Sequence, residues 1–283
     1  MTRTSFDGAV TVITGAGSGI GRATALLAAS KGARLVLTDI GEETLKETVR
    51  LVEAQGGTVV HFAALDVRDA DAVAAFAERA HELAGGSTDI VMNVAGISTW
   101  GRIQDLTIEH WRRTVDVDLM GPIHVMSAFV PAMIDAKRGG HVVNVSSAAG
   151  LIGLPLHAPY SAAKFGLRGV SEVLRFDLER HRIRVSLVCP GGVDTPLVGT
   201  VDIVGVDRED PKVQKAIAAF SKHAVTPESA AASIVKGVEK GRYLVYTSND
   251  IRLAYWAQRY VPFGYTIAMR IMNLQAQKVL VRR

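Results

Sequence analysis

Ala9-Val-Thr-Val-Ile13, then Thr14-Gly-Ala-Gly-Ser-Gly-Ile-Gly21, then Arg22-Ala-Thr-Ala-Leu-Leu-Ala-Ala-Ser30: a short β-branched apolar run, a glycine-rich turn, and an alanine- and leucine-rich stretch. The first run reads as a buried strand and the last as a helix. A glycine-rich turn between the two lets the backbone approach a pyrophosphate. It also aims the unpaired N–H groups of the helix start at that anion. Glycines alone also fit an ordinary turn. Their place between a strand and a helix makes the dinucleotide reading the stronger one.

Working outward, the second strand Arg34-Leu-Val-Leu-Thr38 ends at Asp39. An acid roughly twenty residues past such a turn accepts hydrogen bonds from the adenine-side ribose hydroxyls and repels a 2′-phosphate. Ile40 follows it, not Arg, and Ser18 in the turn is not basic. All three observations favour NAD over NADP. The bland alternative for Asp39 is a solvated acid at a strand end. Helix 42–55 and strand 58–63 come next, then Leu65-Asp66-Val67. Asp66 stands either where cofactor contacts cluster in open parallel sheets or as the cap of a helix over 69–84. Strand Ile90-Val-Met92 runs into Asn93-Val-Ala-Gly96. A long helical pattern covers about 107–135, a strand 141–145, a helix 157–180 and a strand 183–188. The last strand ends at Cys189-Pro-Gly-Gly-Val-Asp-Thr195, with Cys189 read as a buried small apolar residue. Alternation of strands and helices throughout predicts a doubly wound α/β fold, a parallel sheet of about seven strands with helices on both faces. No linker or composition shift divides the chain and no internal repeat is present. Residues 1–250 read as one NAD-binding catalytic domain, and 251–283 as a helical extension of it.

Length and composition agree. A chain of 283 residues, 48% hydrophobic, supports a sizeable core. Net charge is only +4, and no basic stripe with interleaved aromatics is present, so nucleic acid is not an expected partner. The single cysteine excludes an intrachain disulfide framework and fits a reducing compartment. No signal-peptide h-region precedes the first strand, and no uninterrupted apolar run reaches roughly 18 residues, so no spanning helix is indicated. A cytoplasmic location follows as the expectation. The eight histidines lack metal-ligand spacing, and no metal site is expected.

A second constellation carries chemistry: Ser146-Ser147, then Tyr160-Ser-Ala-Ala-Lys164. Tyr160 and Lys164 are four apart, which on a helix puts both on one face. A Tyr with a pKa of about 10 is a poor base at neutral pH; a Lys ammonium beside it favours the phenolate. Such a pair passes a proton to or from an alcohol or carbonyl, and Ser147 is placed to donate a hydrogen bond to the same oxygen. A Tyr and a Lys at this spacing also occur by chance, so the pair gains weight only from the rest of the chain.

Thr14–Gly21, Asn93–Gly96, Ser147 with Tyr160 and Lys164, and Pro190–Thr195 together resemble the short-chain dehydrogenase/reductase family over roughly residues 6–250. The combination is specific although each part is not. The resemblance implies that Gly15, Gly19 and Gly21, with Ser18 and Ile20 in the same turn, form the phosphate site. It implies further cofactor contacts from Asp39, Asp66, Val67, Asn93, Ala95, Gly96, Pro190, Gly191, Val193 and Thr195. Ser147 would polarise the substrate oxygen and Tyr160 would be the general acid/base. Lys164 would lower the Tyr pKa and hold the nicotinamide ribose. Hydride transfer between NAD and a carbonyl/alcohol carbon is the implied reaction, and a homotetramer or dimer, built partly on helices 107–135 and 157–180, the implied assembly. One position departs: Asp118 stands where the family usually has Asn, which helps hold a water-linked proton relay. A carboxylate there also accepts hydrogen bonds, but it can pair with Lys164 and weaken its effect on Tyr160.

Substrate contacts are expected in loops at the C-terminal strand ends: Ser98 and Trp100, and Leu151–His157 with Leu154 and His157. The second loop is apolar and points to a hydrophobic alcohol such as a steroid, retinoid or terpenoid; lid packing is the alternative. Residues 196–223 read as one or two helices over the site, helix 227–240 opens on Thr226-Pro227, and strand 243–246 closes the sheet. The tail holds two amphipathic stretches, 251–260 and 265–273, separated by Pro262 and Gly264. Packing on a partner subunit or covering the pocket is favoured there over lying on a membrane surface through apolar side chains and arginines that include Arg282 and Arg283. Two rivals remain open: a nucleotide-sensing regulator without catalysis, and a sugar-nucleotide epimerase or dehydratase.

Overall fold

The computed structural model of the chain describes residues 4–207 and 209–280; Arg282 and Arg283 lie outside them. Seven parallel strands form one sheet: β1 (Val10–Thr14), β2 (Arg34–Asp39), β3 (Thr58–Ala64), β4 (Ile90–Asn93), β6 (Gly140–Val145), β7 (Ile183–Cys189) and β9 (Leu244–Tyr246), in the order β3-β2-β1-β4-β6-β7-β9. A two-stranded parallel ribbon of β5 (Thr99–Trp100) and β8 (Asp202–Ile203) stands apart. Strand order reverses between β1 and β4, the point where open α/β sheets place their ligands.

Burial on both faces explains why the strands read as continuous apolar runs. Leu35 and Leu37 of β2, Ile90 and Met92 of β4 and Val143 of β6 face α1 (Gly19–Ser30), α2 (Glu42–Ala54) and α9 (Pro227–Glu239). Val36, Val91 and Val142 face the other way, toward α3 (Ala70–Ala84), α5 (Gly121–Ala136) and α6 (Ala158–Asp177). Truncating such a side chain to Ala costs roughly 2–5 kcal/mol. Cys189 is fully buried at the end of β7, and burial pushes its thiol up to about 12, as befits an inert core residue.

Several expectations are corrected. Helix α1 begins at Gly19, inside the glycine turn, not at Arg22. The cap of α3 is Asp69, whose carboxylate accepts from the amides of Asp71 and Ala72. Asp66 instead binds Arg68 at 2.6 Å. The long helix is broken in character: α4 (Ile108–Val115) passes through a π-helical turn, Asp116–Met120, before α5. By length and composition alone Ile108–Ala136 is apolar enough to cross a membrane, but Val125, Met126, Phe129 and Met133 are buried in the core. Helix α6 stops at Asp177, ahead of a 3-10 turn over Glu179–His181. The segment after Thr195 holds a strand between its helices, α7 (Pro196–Thr200), β8 and α8 (Pro211–His223). Helices α10 (Asn249–Tyr260) and α11 (Pro262–Leu280) complete the chain, so Pro262 opens a helix and Gly264 lies within it.

Candidate active site

The glycine turn is held shut by contact. Gly15 has φ +66, and a Cβ there would sit 2.7 Å from Ala95 Cα. A Cβ on Gly21 would overlap the Gly15 carbonyl oxygen. Turn and helix start therefore fit against each other and against Ala95 only without side chains. Ser18 precedes α1 in extended backbone, and its side chain caps nothing. The Gly19, Ile20 and Gly21 amides at the helix start thus have no intrahelical partner and point at the ground an anion would occupy. Thr195 approaches from the far side, since a Cβ on Gly19 would lie 3.1 Å from its Cβ. The Thr14 hydroxyl accepts from the amides of Val94 and Ala95, both at 3.1 Å, bracing the start of the Asn93–Gly96 loop.

Asp39 stands at the end of β2, against the glycine turn. Its carboxylate accepts from Gly17 N at 2.8 Å and Gly41 N at 2.9 Å. The arginine nearest this corner, Arg22, is spent on the carbonyls of Gly17 and Thr44 and on the Thr48 hydroxyl. These residues fit a dinucleotide with a free ribose diol: amides for the pyrophosphate, a carboxylate for the hydroxyls, and no Cβ where the turn approaches Asp39 and Thr44. Asp66 is partly exposed, and the Arg68 guanidinium holds its carboxyl below the ordinary value. Val67 is buried and packs against Gly121.

Asn93 lies at the end of β4, where its amide donates to Asn144 Oδ1 at 2.8 Å and its own Oδ1 has no partner among the described residues. Asn144 donates in turn to Ser171 Oγ at 2.9 Å. Asn144 and Ser171 were not singled out from sequence; a polar residue in an otherwise apolar strand was the only signal. On the opposite flank Ala148 N donates to the Pro190 carbonyl at 2.7 Å, and Gly191 N to Thr247 Oγ1 at 3.3 Å. Val193 is buried and bridges to Val225.

At the centre, Ser147 follows β6, and Tyr160 and Lys164 lie on the first two turns of α6. The Lys164 ammonium is buried 5.5 Å from the Tyr160 ring centroid and donates to the Val145 carbonyl at 3.2 Å. Asp118, fully buried on the π-helical turn, stands 3.7 Å from the same ammonium. Its Oδ1 accepts from Ile97 N at 2.8 Å, while Oδ2 has no hydrogen-bond partner among the described residues. Gly96 backs both groups, 3.0 Å from Asp118 Oδ1 by a Cβ placed there. Burial pushes Asp118 up to about 6 against the pull of Lys164. Tyr160 is also pushed up: burial outweighs Lys164, Asp118 adds to the rise, and the Ser147 hydroxyl opposes it. Lys164 acts in the expected direction, and burial wins.

The loop residues gather beside Tyr160. Trp100 and His157 have ring centroids 4.2 Å apart, and His157 and Tyr160 6.4 Å. Trp100 Nε1 donates to Ser98 Oγ at 2.7 Å. His157 is neutral, lowered by burial to about 4, and its Nδ1–H donates to the Pro155 carbonyl. Leu156 has φ 68, an uncommon backbone for a branched residue, and its carbonyl accepts from Gly101 N. Leu151 and Ile152 pack instead into a cluster with Leu187, Cys189 and Ile251, with Leu154 at its edge. For those two residues the packing alternative holds.

Comparison with known proteins agrees with this geometry. The sequence model of the short chain dehydrogenase family matches residues 9–203. The chain belongs to the short-chain dehydrogenase/reductase family. Membership makes it an oxidoreductase of CH–OH groups. A Mycobacterium tuberculosis protein named as the oxidoreductase SadH is 41% identical over 245 residues, 84% of this chain and 85% of that one. A family member from Burkholderia phymatum, solved with NAD, superposes with TM-score 0.80 at 28% identity, covering 90% of this chain and 96% of that one. A metagenomic short-chain oxidoreductase solved with NADP has TM-score 0.67 at 34% identity, covering 83% and 93%. Among the described residues no group of His, Cys, Asp or Glu is arranged to hold a metal ion.

Proposed function

We propose that this short-chain dehydrogenase is NAD-dependent and interconverts a hydrophobic secondary alcohol and its ketone, with Tyr160 as general acid/base. The observation that carries the reading is the joint placement of Ser147, Tyr160 and Lys164 at the same C-terminal end of the parallel sheet as the glycine turn and Asp39. When bound, the nicotinamide supplies the hydride acceptor for alcohol oxidation, or the donor for reduction.

The chain's own groups do the rest. Ser147 Oγ accepts from Ala149 N at 3.1 Å, which leaves its O–H free to donate to the substrate oxygen. Tyr160 Oη takes the alcohol proton in oxidation and returns it in reduction. Lys164 stabilises the phenolate and, through the Val145 carbonyl, is fixed in place. Asp39 selects NAD by accepting from the ribose diol and repelling a 2′-phosphate. Trp100 and His157 give the substrate side an aromatic, uncharged wall, which suits a steroid-, retinoid- or terpenoid-like ring system.

NADH formation across hydroxysteroids, retinol, terpenols and small secondary alcohols tests the reading, with Tyr160→Phe alongside. We expect turnover of a hydrophobic alcohol to fall by about 10²–10⁴ in the variant, with NADH still bound. Undiminished turnover in Tyr160→Phe would remove the stretch from the mechanism.

A further inference from the structure

Helix α11 is apolar on two opposite faces, and the protein covers only one. Tyr265, Met269, Asn273 and Ala276 recur at helical spacing and are half-buried. Tyr265 pins this inner face, its hydroxyl accepting from Gly153 N at 3.0 Å and donating to Gly153 O at 3.3 Å. Two positions along a helix is about 200° of rotation, so Phe263, Ile267, Ile271 and Leu274 form the reverse face. They are 79%, 42%, 51% and 60% exposed. The stripe runs about 17 Å. Helix α10 repeats the arrangement. Ile251 packs against Leu187 and Cys189 while Leu253, Trp256 and Tyr260 stay exposed, the last two with rings 5.5 Å apart. An apolar helix face left exposed needs a second cover.

Charge identifies the cover. Residues 251–283 contain six Lys or Arg and no Asp or Glu. The four described ones, Arg252, Arg259, Arg270 and Lys278, are exposed, and none pairs with an acid among the described residues. Each adjoins the apolar stripes at three or four positions' spacing: Arg252 and Arg259 either side of Trp256, Arg270 one turn past Ile267, and Lys278 one turn past Leu274. Asp250, in the first turn of α10, is the single acid of the two helices among the described residues, so a second copy docking here by two-fold symmetry would set these cations largely against themselves. Bulky apolar and aromatic side chains rimmed by unpaired cations are what an anionic bilayer surface receives.

We propose that α10 and α11 form a peripheral docking surface for anionic phospholipid, lying in the interface rather than crossing it. The same helix then holds the substrate loop by Tyr265 and Gly153, so the loop beside Tyr160 lies next to the lipid. The test is sedimentation of the full chain with phosphatidylglycerol vesicles and with phosphatidylcholine vesicles at low ionic strength. The protein should pellet with the first and not the second, and added salt should release it. An exposed cation near such a surface is worth about fivefold in partitioning, so Arg259→Glu with Arg270→Glu should weaken pelleting by more than about tenfold. Ile267→Ser with Ile271→Ser should weaken it too, with melting temperature unchanged for both double variants. A protein that stays in the supernatant with phosphatidylglycerol, or pelleting indifferent to salt and to both double variants, overturns the proposal. So does a change in solution mass in the serine variant with vesicle binding intact, which would make the face a contact between copies.

Discussion

Asp118 departs from the pattern that the family resemblance implies, an Asn at this position. Its carboxylate faces a buried ammonium at 3.7 Å and adds to the forces that raise Tyr160. On the proposed mechanism, Tyr160 is deprotonated when it takes a proton from an alcohol and protonated when it gives one to a ketone. A raised phenol therefore favours reduction near neutral pH and makes oxidation climb with pH. Asp118→Asn removes one raising cause, so the oxidation limb should move to lower pH, with turnover at the optimum changed by less than about tenfold. Because Asp118 titrates at about 6, it is neutral, like Asn, below that pH. The kcat/KM profiles of the two proteins should converge there and part above it. Coincident profiles throughout would mean that the carboxylate does not act on Tyr160. A loss beyond about a hundredfold would mean that the charge itself is required. At the other end of the site, Asp39→Ala removes the acceptor of two amides and, on our reading, of the ribose diol. The KM for NAD should rise about tenfold or more, the value of a charge-assisted hydrogen bond, and the NAD-to-NADP preference should narrow. An unchanged cofactor ratio would remove Asp39 from specificity.

Among elements, the glycine turn is the least forgiving. Gly21→Ala drives a Cβ into the Gly15 carbonyl, where only backbone can yield. We expect a loss of about 2 kcal/mol or more and a melting temperature several degrees lower, together with weakened NADH binding. A normal melt with normal binding would mean that the turn relaxes freely. This turn was legible because its constraint is local: a strand, small residues and a helix in succession. The central strands were legible for the same reason, since burial on both faces writes itself as apolar runs. What stayed hidden depended on distant partners. The β5–β8 ribbon has two-residue strands, too short for any period, and joins Thr99 and Trp100 to residues a hundred positions away. Asp69 rather than Asp66 caps α3, a choice between two acids three apart that only backbone geometry decides. The π-helical turn that seats Asp118 has no composition signal. Likewise the sign of the Tyr160 shift turned on burial, which the Tyr–Lys spacing does not encode.

At the scale of the whole molecule, helices α6 and α10–α11 each leave an apolar surface on the outside, and the two call for different covers. The tail surface is cationic and has been assigned to lipid. The other lies on α6, where Phe165, Val173 and Phe176 are 38%, 58% and 59% exposed along one face. Gly169 sits between them with nothing within 4 Å of a Cβ built there, so another backbone can come close. Acids and bases are mixed here, Glu172 being 3.9 Å from Arg168, and a self-complementary contact meets no uniform charge. This face suits a second copy of the chain, in line with the dimer or tetramer that the family resemblance implies. Val173→Asp with Phe176→Asp would bury two carboxylates in such an interface, at a cost far above the apolar area lost. Light scattering after size exclusion should then show a smaller assembly, while the vesicle binding assigned to α10 and α11 persists. Should the mass stay fixed, α6 is not the subunit contact. If vesicle binding is lost along with the assembly, the two surfaces are not independent, and lipid binding depends on several tails acting together.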